Sequence, residues 1–296
     1  MRRQVRLECP AKVNLSLRVH RRRSDGYHAI STVLQTIALY DRLTVSRTEP
    51  EVPLRLEVPG GGAPADDSNL VMAAARTFFS AIGEPARGVC FELSKRIPAG
   101  SGLGGGSSDA AGTLAALQEL WGEPLSPERL HAAAAAVGSD VPFFLVGGTV
   151  LATGRGEELR VLEDVATAPV IVAVPAMEVS TAAVYGHWRR PGGREAEFGE
   201  EELLPSPSMR RETARWLRGN DLEPVVRWLH PEVDRLLVAL RAVALDGSDR
   251  GPQLSGAGGA VFGVGNWKDA EGAVAGQNVR LFRTSTLPGR SRPGRP

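Results

Sequence analysis

The sequence predicts an α+β chain of two domains, strand-rich first and helix-rich second. Three observations carry this. Apolar and polar residues alternate with a period of two through most of the chain up to Val58. A glycine-rich run, "PAGSGLGGGSSDAA" at Pro98 to Ala111, then separates a strand from an alanine-rich helix. Finally, composition shifts around Glu163 to Pro169, and helical patterns dominate beyond it. These shifts place the first domain at residues 1–163 and the second at 164–286, with a Pro-, Gly- and Arg-rich tail at 287–296 expected to be disordered.

The elements follow in order. "VRLEC" (Val5 to Cys9) and "VNLSLRV" (Val13 to Val19) read as strands, continued by "AISTVLQTIAL", "RLTVSR" and "LRLEV". "PGGGAPADDS" (Pro59 to Ser68) is a loop whose Ser68 is expected to cap the helix "NLVMAAARTFFSAIG", ended by Gly83. "GVCFELSKRI" is a strand; the glycine loop follows, then a helix from about Ser107 to Trp121. "SPERLHAAAAAVG" is a helix with serine as N-cap, proline at its first position and glycine at its end. "GGTVLATGRGEELRVL" reads as a hairpin. In the second half "VIVAVP" is a strand and Ala182 to Trp188 a short helix. Arg189 to Ser208 reads as a polar insertion, and "MRRETARWLRG" and "PEVDRLLVALRAVA" as helices. "QLSGAGGAVFGVG", a helix near "WKDAEGAVAG" and the strand "VRLFRTS" complete the domain.

Composition excludes several classes of function. A formal net charge of +1 over 296 residues provides no global field for nucleic acid or a membrane surface. Two cysteines, Cys9 and Cys90, without CxxC or metal-ligand spacing argue against a disulfide framework and for a cytoplasmic protein. "MRRQVRLECP" lacks the apolar stretch of a signal peptide. "VATAPVIVAVPAM" (Val165 to Met177) is too short to span a bilayer and reads as a buried strand.

The glycine run is the chemical signal. Gly100 and Gly105 have the spacing of a Walker A loop, but Gly106 stands where that loop needs its lysine. Gly100, Gly102 and Gly105 also fit GxGxxG, yet the run sits deep in the domain rather than after its first strand. A third reading is a concave row of backbone N–H groups leading into a helix N-terminus, a site for phosphate. Ser107, Ser108 and Asp109 crowd that first turn, where hydroxyls can meet a phosphate oxygen or Mg²⁺. A serine-capped turn without ligand is the plain alternative. Asp140, between "GS" and "VP", is either a base at a helix start or an N-cap. Lys12, among apolar strand residues, needs a carboxylate partner if it faces inward.

"PAGSGLGGGSSDAA" resembles the central motif of the GHMP kinases. "PAKVNLSLRV" (Pro10 to Val19) and "LSGAGGAVFGV" (Leu254 to Val264) resemble that superfamily's N- and C-terminal motifs, in the right order. "PAKVNLSLRVHRRRSDGYHAISTVLQTIALYD" and "GSDVPFFLVGGTVLATGRGE" are similar to one branch, which phosphorylates a cytidine-diphosphate methylerythritol alcohol in isoprenoid precursor synthesis.

The resemblance implies a strand-rich N-terminal domain carrying the phosphate-loop helix and a ferredoxin-like α/β C-terminal domain. It implies ATP with Mg²⁺, the metal carried in on the nucleotide and helped by Ser107 or Ser108; no metal ligand set is readable. ATP would lie on Pro98, Ala99, Gly100, Ser101, Gly102, Leu103, Gly104, Gly105, Gly106, Ser107 and Ser108, with Asn69 and Leu70 lining the adenine pocket and Lys95 preceding the loop on the same side. Lys12 and Asp140 would be the catalytic pair.

Tyr27 would stack on the cytosine, His28 meet its edge, Asn14 reach the erythritol end, and Thr181 and Tyr185 close the other side. The implied partner is the small-molecule substrate alone, with a monomer or weak homodimer as the assembly. Two departures stand out. Tyr185 replaces a common phenylalanine, and Gly259 and Ala260 stand where relatives often keep serine, threonine or cysteine. Another small-alcohol kinase, or a nucleotide-binding protein without catalysis, are the competing readings.

Overall fold

The structure, a computed structural model, describes residues 3–189, 203–204, 216–244 and 252–289. Its first sheet is organised by one long antiparallel pair, β1 (Gln4–Arg22) and β2 (His28–Arg47). The two strands expected at Val5 to Cys9 and Val13 to Val19 are therefore one. Pro10 does not end it, because the register shifts between Pro10 and Ala11, and an irregularity tolerates a residue without an N–H.

β3 (Arg55–Glu57) and β4 (Val89–Ser94) extend the sheet beyond one end of β2. β5 (Thr149–Thr153) pairs with the other end of β2 and forms the expected hairpin with β6 (Glu158–Val161). Helices α1 (Leu70–Ile82), α2 (Gly105–Leu120), α3 (Pro127–Val137) and α4 (Val141–Val146) surround one core with Val5, Leu7 and Cys9, into which Phe78, Phe79, Leu114, Leu117 and Phe143 are fully buried.

Helix ends follow local chemistry. Gly83 ends α1 in the left-handed region at φ 75°, and Ser126 caps α3 with Pro127 following it. Ser68, however, does not cap α1. Asn69 does, accepting from Val71 N at 3.0 Å, while the Ser68 hydroxyl donates to Asp66 at 2.6 Å. The nearby carboxylate is the stronger acceptor, and Ser68 in turn holds Asp66 below its ordinary acidity range. α2 starts at Gly105, two residues before the expected Ser107.

The second half builds a four-stranded antiparallel sheet. β7 (Pro169–Pro175) is central; α5 (Thr181–His187) follows it. Then β8 (Gly219–Asn220) crosses back to pair in parallel with Ser16 and Leu17 of β1, the seventh strand of the first sheet among the described residues. α6 (Glu223–Leu229) and α7 (Pro231–Ala242) come next, then β9 (Gln253–Leu254), β10 (Val261–Val264), α8 (Ala270–Ala273) and β11 (Val279–Ser285). The order is β11-β7-β10-β9.

β7 is apolar on both faces because both are covered. Val170, Val172 and Val174 meet Ala11, Val13 and Leu15 of β1, whereas Ile171 and Ala173 join Val233, Leu236 and Leu237 of α7. The odd-numbered positions of β1 thus feed three successive clusters, leaving Lys12 and Asn14 on the opposite face of the strand.

Most of the insertion at 189–208, residues 209–215 of the expected helix "MRRETARWLRG" and the tail from 290 lie outside the described residues. The described end of that expected helix is not α-helical: Gly219 opens β8, drawn into the ladder with Ser16 of β1. Order extends past 286. Leu287 N donates to Thr36 O at 2.9 Å, and its carbonyl accepts from Gln35 Nε2 at 2.6 Å. No helix among the described residues is long and apolar enough to cross a membrane, and both cysteines are free.

Candidate active site

On the face of β1 turned away from β7 opens a cleft of about 1210 Å³, lined by β1, the glycine loop, the α3–α4 junction, α5 and the turn at Gly256 to Gly258. That exceeds the roughly 300–1,000 Å³ of a pocket for one drug-sized ligand, so there is room for two. Of the residues singled out above, Lys12, Asn14, Tyr27, His28, Gly102, Gly104, Ser107, Asp140, Thr181 and Tyr185 line it.

The bare backbone of the glycine loop has a steric cause. The loop presses against the C-terminal glycine motif: a Cβ on Gly102 would lie 2.2 Å from Ser255 O, and one on Gly104 would lie 2.8 Å from Phe144 Cζ. Both also hold left-handed backbone, at φ 85° and 73°. Backbone bonds tie the loop to its surroundings. Ala260 N donates to Ser101 O and Lys12 N to Leu103 O, both at 2.9 Å.

Helix α2 begins directly after Gly104. The N–H groups of its first three residues, Gly105, Gly106 and Ser107, have no acceptor within the helix, as at any helix start. Ser107 reaches the cleft wall. Ser108 is 1% exposed, and its hydroxyl is buried without a hydrogen-bond partner. Ser101 is also buried, its hydroxyl donating to Pro98 O at 2.6 Å. Leu103 is in the core.

Asn69 uses its side chain to cap α1 and to donate to Pro64 O at 2.7 Å. Leu70 Cδ1 lies 3.5 Å from where Gly106 would carry a Cβ, so it stands beside the loop. The Lys95 ammonium does not reach the cleft wall; Asp41 and Asp109 enclose it.

Beside the loop, the cleft wall carries a lysine–aspartate pair. Lys12 Nζ stands 3.6 Å from Asp140 Oδ2, with side-chain exposures of 5% and 34%. Asp140 occupies the N-cap position of α4 but makes no capping hydrogen bond, so its carboxylate is left for the cleft. A buried network orients the lysine. Nζ donates to Asn14 Oδ1 at 2.7 Å; Asn14 Nδ2 donates to Thr32 Oγ1 at 2.8 Å; Thr32 donates to Ser16 O at 2.6 Å. Both ends of the Asn14 amide are thus engaged, which places this residue behind Lys12.

The far end of the cleft is aromatic. The His28 ring stacks near Tyr185, with centroids 5.9 Å apart and planes at 22°, and meets the edge of Trp188 at 5.2 Å. Burial, reinforced by Asp140, pushes the Tyr185 phenol well above its usual range, so it stays protonated. Tyr27 is 61% exposed, and Arg155 lies 5.6 Å from its ring centroid. His28 Nδ1 is 3.1 Å from the His20 carbonyl. A carbonyl only accepts, so Nδ1 carries the hydrogen and the neutral ring offers Nε2 as an acceptor.

Within the arginine run, Arg22 lines the cleft, Arg18 is pinned to Asp221 at 3.3 Å, and Arg23 pairs with Asp25 at 3.0 Å. Gly256, Ala257 and Gly258 form the C-terminal edge of the cleft. The departures at Gly259 and Ala260 stand behind that edge. A Cβ on Gly259 would meet Val179 at 3.3 Å, and Ala260 is fully buried.

Sequence reasoning missed the residues that hold this edge. Asn220 Nδ2 donates to the carbonyls of Leu254 and Gly256, at 3.0 and 2.7 Å. Gln253 Nε2 donates to the Asn14 and Leu15 carbonyls, both at 2.9 Å. The only available hint was the polar "GND" opening a helix at "LEP".

This is the architecture of a small-molecule kinase. Residues 69–148 match the model of the GHMP kinases N-terminal domain. A 4-diphosphocytidyl-2-C-methyl-D-erythritol kinase from Moorella thermoacetica is 44% identical over 86% of this chain and 87% of its own length. A crystal structure of 4-(cytidine 5'-diphospho)-2C-methyl-D-erythritol kinase, 36% identical, matches with a TM-score of 0.75, over 96% of this chain and 100% of that one. Homoserine kinase from Cytophaga hutchinsonii shares the fold at a TM-score of 0.72 and 18% identity, over 99% of this chain and 97% of its own. The chain belongs to the 4-diphosphocytidyl-2-C-methyl-D-erythritol kinase family within the GHMP kinases.

Proposed function

We propose that this chain transfers the γ-phosphoryl group of ATP to the 2-hydroxyl of 4-diphosphocytidyl-2-C-methyl-D-erythritol, giving the 2-phosphate and ADP. The observation that carries this reading is the position of the Lys12–Asp140 pair, in one cleft between a backbone phosphate cradle and an aromatic wall. The cradle suits a polyphosphate because its free N–H groups and the start of α2 both favour negative charge. At the other end the aromatic faces suit a base, and the His28 Nε2 acceptor suits the exocyclic amine of cytosine, which uracil lacks.

Asp140 accepts the hydroxyl proton as the substrate oxygen bonds to the γ-phosphorus and the bond to the bridging oxygen of ADP breaks. Lys12, fixed by Asn14, keeps the Asp140 carboxylate in place and balances its charge. Catalysis then rests on positioning and on fixed dipoles rather than on a covalent intermediate.

Magnesium fits as an ion delivered on the nucleotide. Among the described residues no three His, Cys, Asp or Glu side chains converge, and the Asp109 and Asp140 carboxylates are each paired with a lysine. The Ser107 hydroxyl at the cleft wall is the protein oxygen available to it. When bound, the metal supplies charge neutralisation on the phosphate oxygens.

The test is ATP-dependent phosphorylation of the cytidine-diphosphate methylerythritol substrate by the full chain, set against homoserine and mevalonate and followed by ³¹P NMR. A product signal with the first substrate alone is expected. Equal turnover of homoserine or mevalonate would sink the assignment of the aromatic wall to a base.

A further inference from the structure

The cleft wall beside Lys12 is completed by a segment that reaches it from the second sheet. Residues 253–260 span β9 and the turn that leads into β10, and they wedge between β1 and the glycine loop. On the β1 side, Gln253 Nε2 donates to the Asn14 and Leu15 carbonyls. A Cβ on Gly256 would lie 3.2 Å from Asn14 Oδ1 and 3.4 Å from Lys12 Nζ. On the loop side, Ser255 Oγ donates to Gly102 O at 3.1 Å, and a Cβ on Gly258 would lie 2.1 Å from the Ser101 carbonyl carbon. Gly256 is thus a bare stretch of backbone laid against the lysine, in the left-handed region at φ 60°.

The wedge pairs with β10 through Gln253 and Leu254 only. Beyond them, Ser255 N donates to Ala260 O at 2.9 Å, and one side chain from β8 grips the turn. That side chain is Asn220, which is buried with both ends of its amide engaged. Its Nδ2 donates to Leu254 O at 3.0 Å and to Gly256 O at 2.7 Å, while its Oδ1 accepts from Leu222 N at 2.9 Å. Two carbonyls at one end and an N–H at the other fix which way the amide points. The backbone of β8 is tied to the same places: Asn220 pairs with Leu17 of β1, and Gly219 N donates to Gln253 Oε1 at 3.3 Å. One residue therefore brackets the wedge to the strand that carries Lys12.

We propose that Asn220 is a positioning residue for the phosphoryl transfer: by gripping Gly256 it keeps that glycine seated against Lys12 and Asn14, and so holds the lysine ammonium at Asp140. The proposal rests on Lys12 and Asp140 being the reactive pair. A seat is needed because the lysine stem is long and flexible, and Asn14 and Asp140 are the polar partners that aim its ammonium. A gap where Gly256 stands would admit other rotamers of Lys12, and water with them. The N–H groups that open α2 take no part in the grip, so the nucleotide keeps its contacts. Loss of Asn220 acts on the alignment for reaction rather than on binding.

Asn220→Asp keeps the acceptor for Leu222 N and turns the donor into an oxygen facing two carbonyls. Steady-state kinetics of the full chain should find kcat lowered ~10- to ~100-fold, the cost of a small misalignment. The KM for the cytidine substrate, and the Kd for Mg·ADP by calorimetry, should move less than ~3-fold. Coupling is the decisive readout. In a Lys12→Met background, Asn220→Asp should lower kcat by less than ~2-fold further, because no lysine is left to hold. A residue that only supports the fold would lower the unfolding midpoint, leave kcat of the folded enzyme unchanged, and show no such coupling.

A wild-type kcat in Asn220→Asp overturns the proposal. So does a loss confined to KM, or losses that multiply in the double variant. If Asn220→Asp does not fold, Gly256→Ala decides, since its methyl would meet Asn14 and Lys12 directly. There kcat should fall, and the fall should vanish in Lys12→Met; a wild-type kcat, or a fall that persists without the lysine, overturns the proposal. Failure of wild type to phosphorylate the cytidine substrate, or a wild-type kcat in Lys12→Met alone, overturns the reactive pair instead, a distinct result.

Discussion

Two lysine–aspartate groups flank the glycine loop, and they differ in nearly everything but composition. Lys12 and Asp140 stand 3.6 Å apart at the cleft wall, with the carboxylate about one-third exposed at 34%. Lys95 holds its two carboxylates at 2.5 and 2.7 Å, all sealed from water. The looseness and exposure of the first pair suit the proton exchange with a substrate that we propose for Asp140. The second is short and dry because it joins β2, the end of β4 and the start of α2 in one place. Removing Lys95 strands two sealed carboxylates, whereas removing Lys12, itself buried, leaves an Asp140 carboxylate that water still reaches.

Parallel substitutions break or sharpen this contrast. Lys95→Met should destabilise the fold by ~3–5 kcal/mol in urea titration, because two carboxylates lose their counter-ion in the core. Lys12→Met should cost less, ~1–3 kcal/mol, because Asp140 stays partly hydrated while the buried Asn14 Oδ1 loses a donor, and it should act on kcat as well. If both variants lose stability alike, the distinction fails. Asp140→Asn should lower kcat by at least ~100-fold while calorimetry finds ATP bound nearly as before. An unchanged kcat would remove Asp140 from the reaction.

At the base end, Tyr27→Ala should raise KM for the cytidine substrate, since stacking on a base is worth ~1–3 kcal/mol, or ~5- to ~150-fold. A rise confined to the KM for ATP would mean that the two ends of the cleft are exchanged. The smallest effect expected is from Arg155→Ala. Its guanidinium lies 5.6 Å from the centroid of an exposed Tyr27 ring, a contact worth ~0.5–1 kcal/mol, so substrate KM should rise only ~2- to ~5-fold.

The contrast also marks what the sequence could reveal. Lys12 was legible because it interrupts an apolar strand, and Asp140 because it sits at a helix start. β11, α3 and α7 were legible from periodicity and caps, since those signals are local. The Lys95 group was not legible. Its members come from three elements whose meeting no local pattern records, and the resemblance assigned Lys95 to the nucleotide rather than to Asp41 and Asp109. β8 is two residues long and carries no periodicity at all. Ser68 misled because capping preference says nothing about a competing carboxylate two residues away. The merging of two strands into β1 was hidden by Pro10, whose tolerance depends on a register shift fixed by the partner strand.

The cradle and its opposing edge come from segments far apart along the chain: Ser101 bonds to Ala260, and Ser16 and Leu17 pair with Gly219 and Asn220. Closing loops of this length is entropically slow, and little local structure assists it. During refolding the long β1–β2 ladder has far shorter loops to close than the cleft does. Recovery of catalytic activity should therefore lag behind recovery of the far-ultraviolet sheet signal, making the cleft the last feature of the molecule to mature.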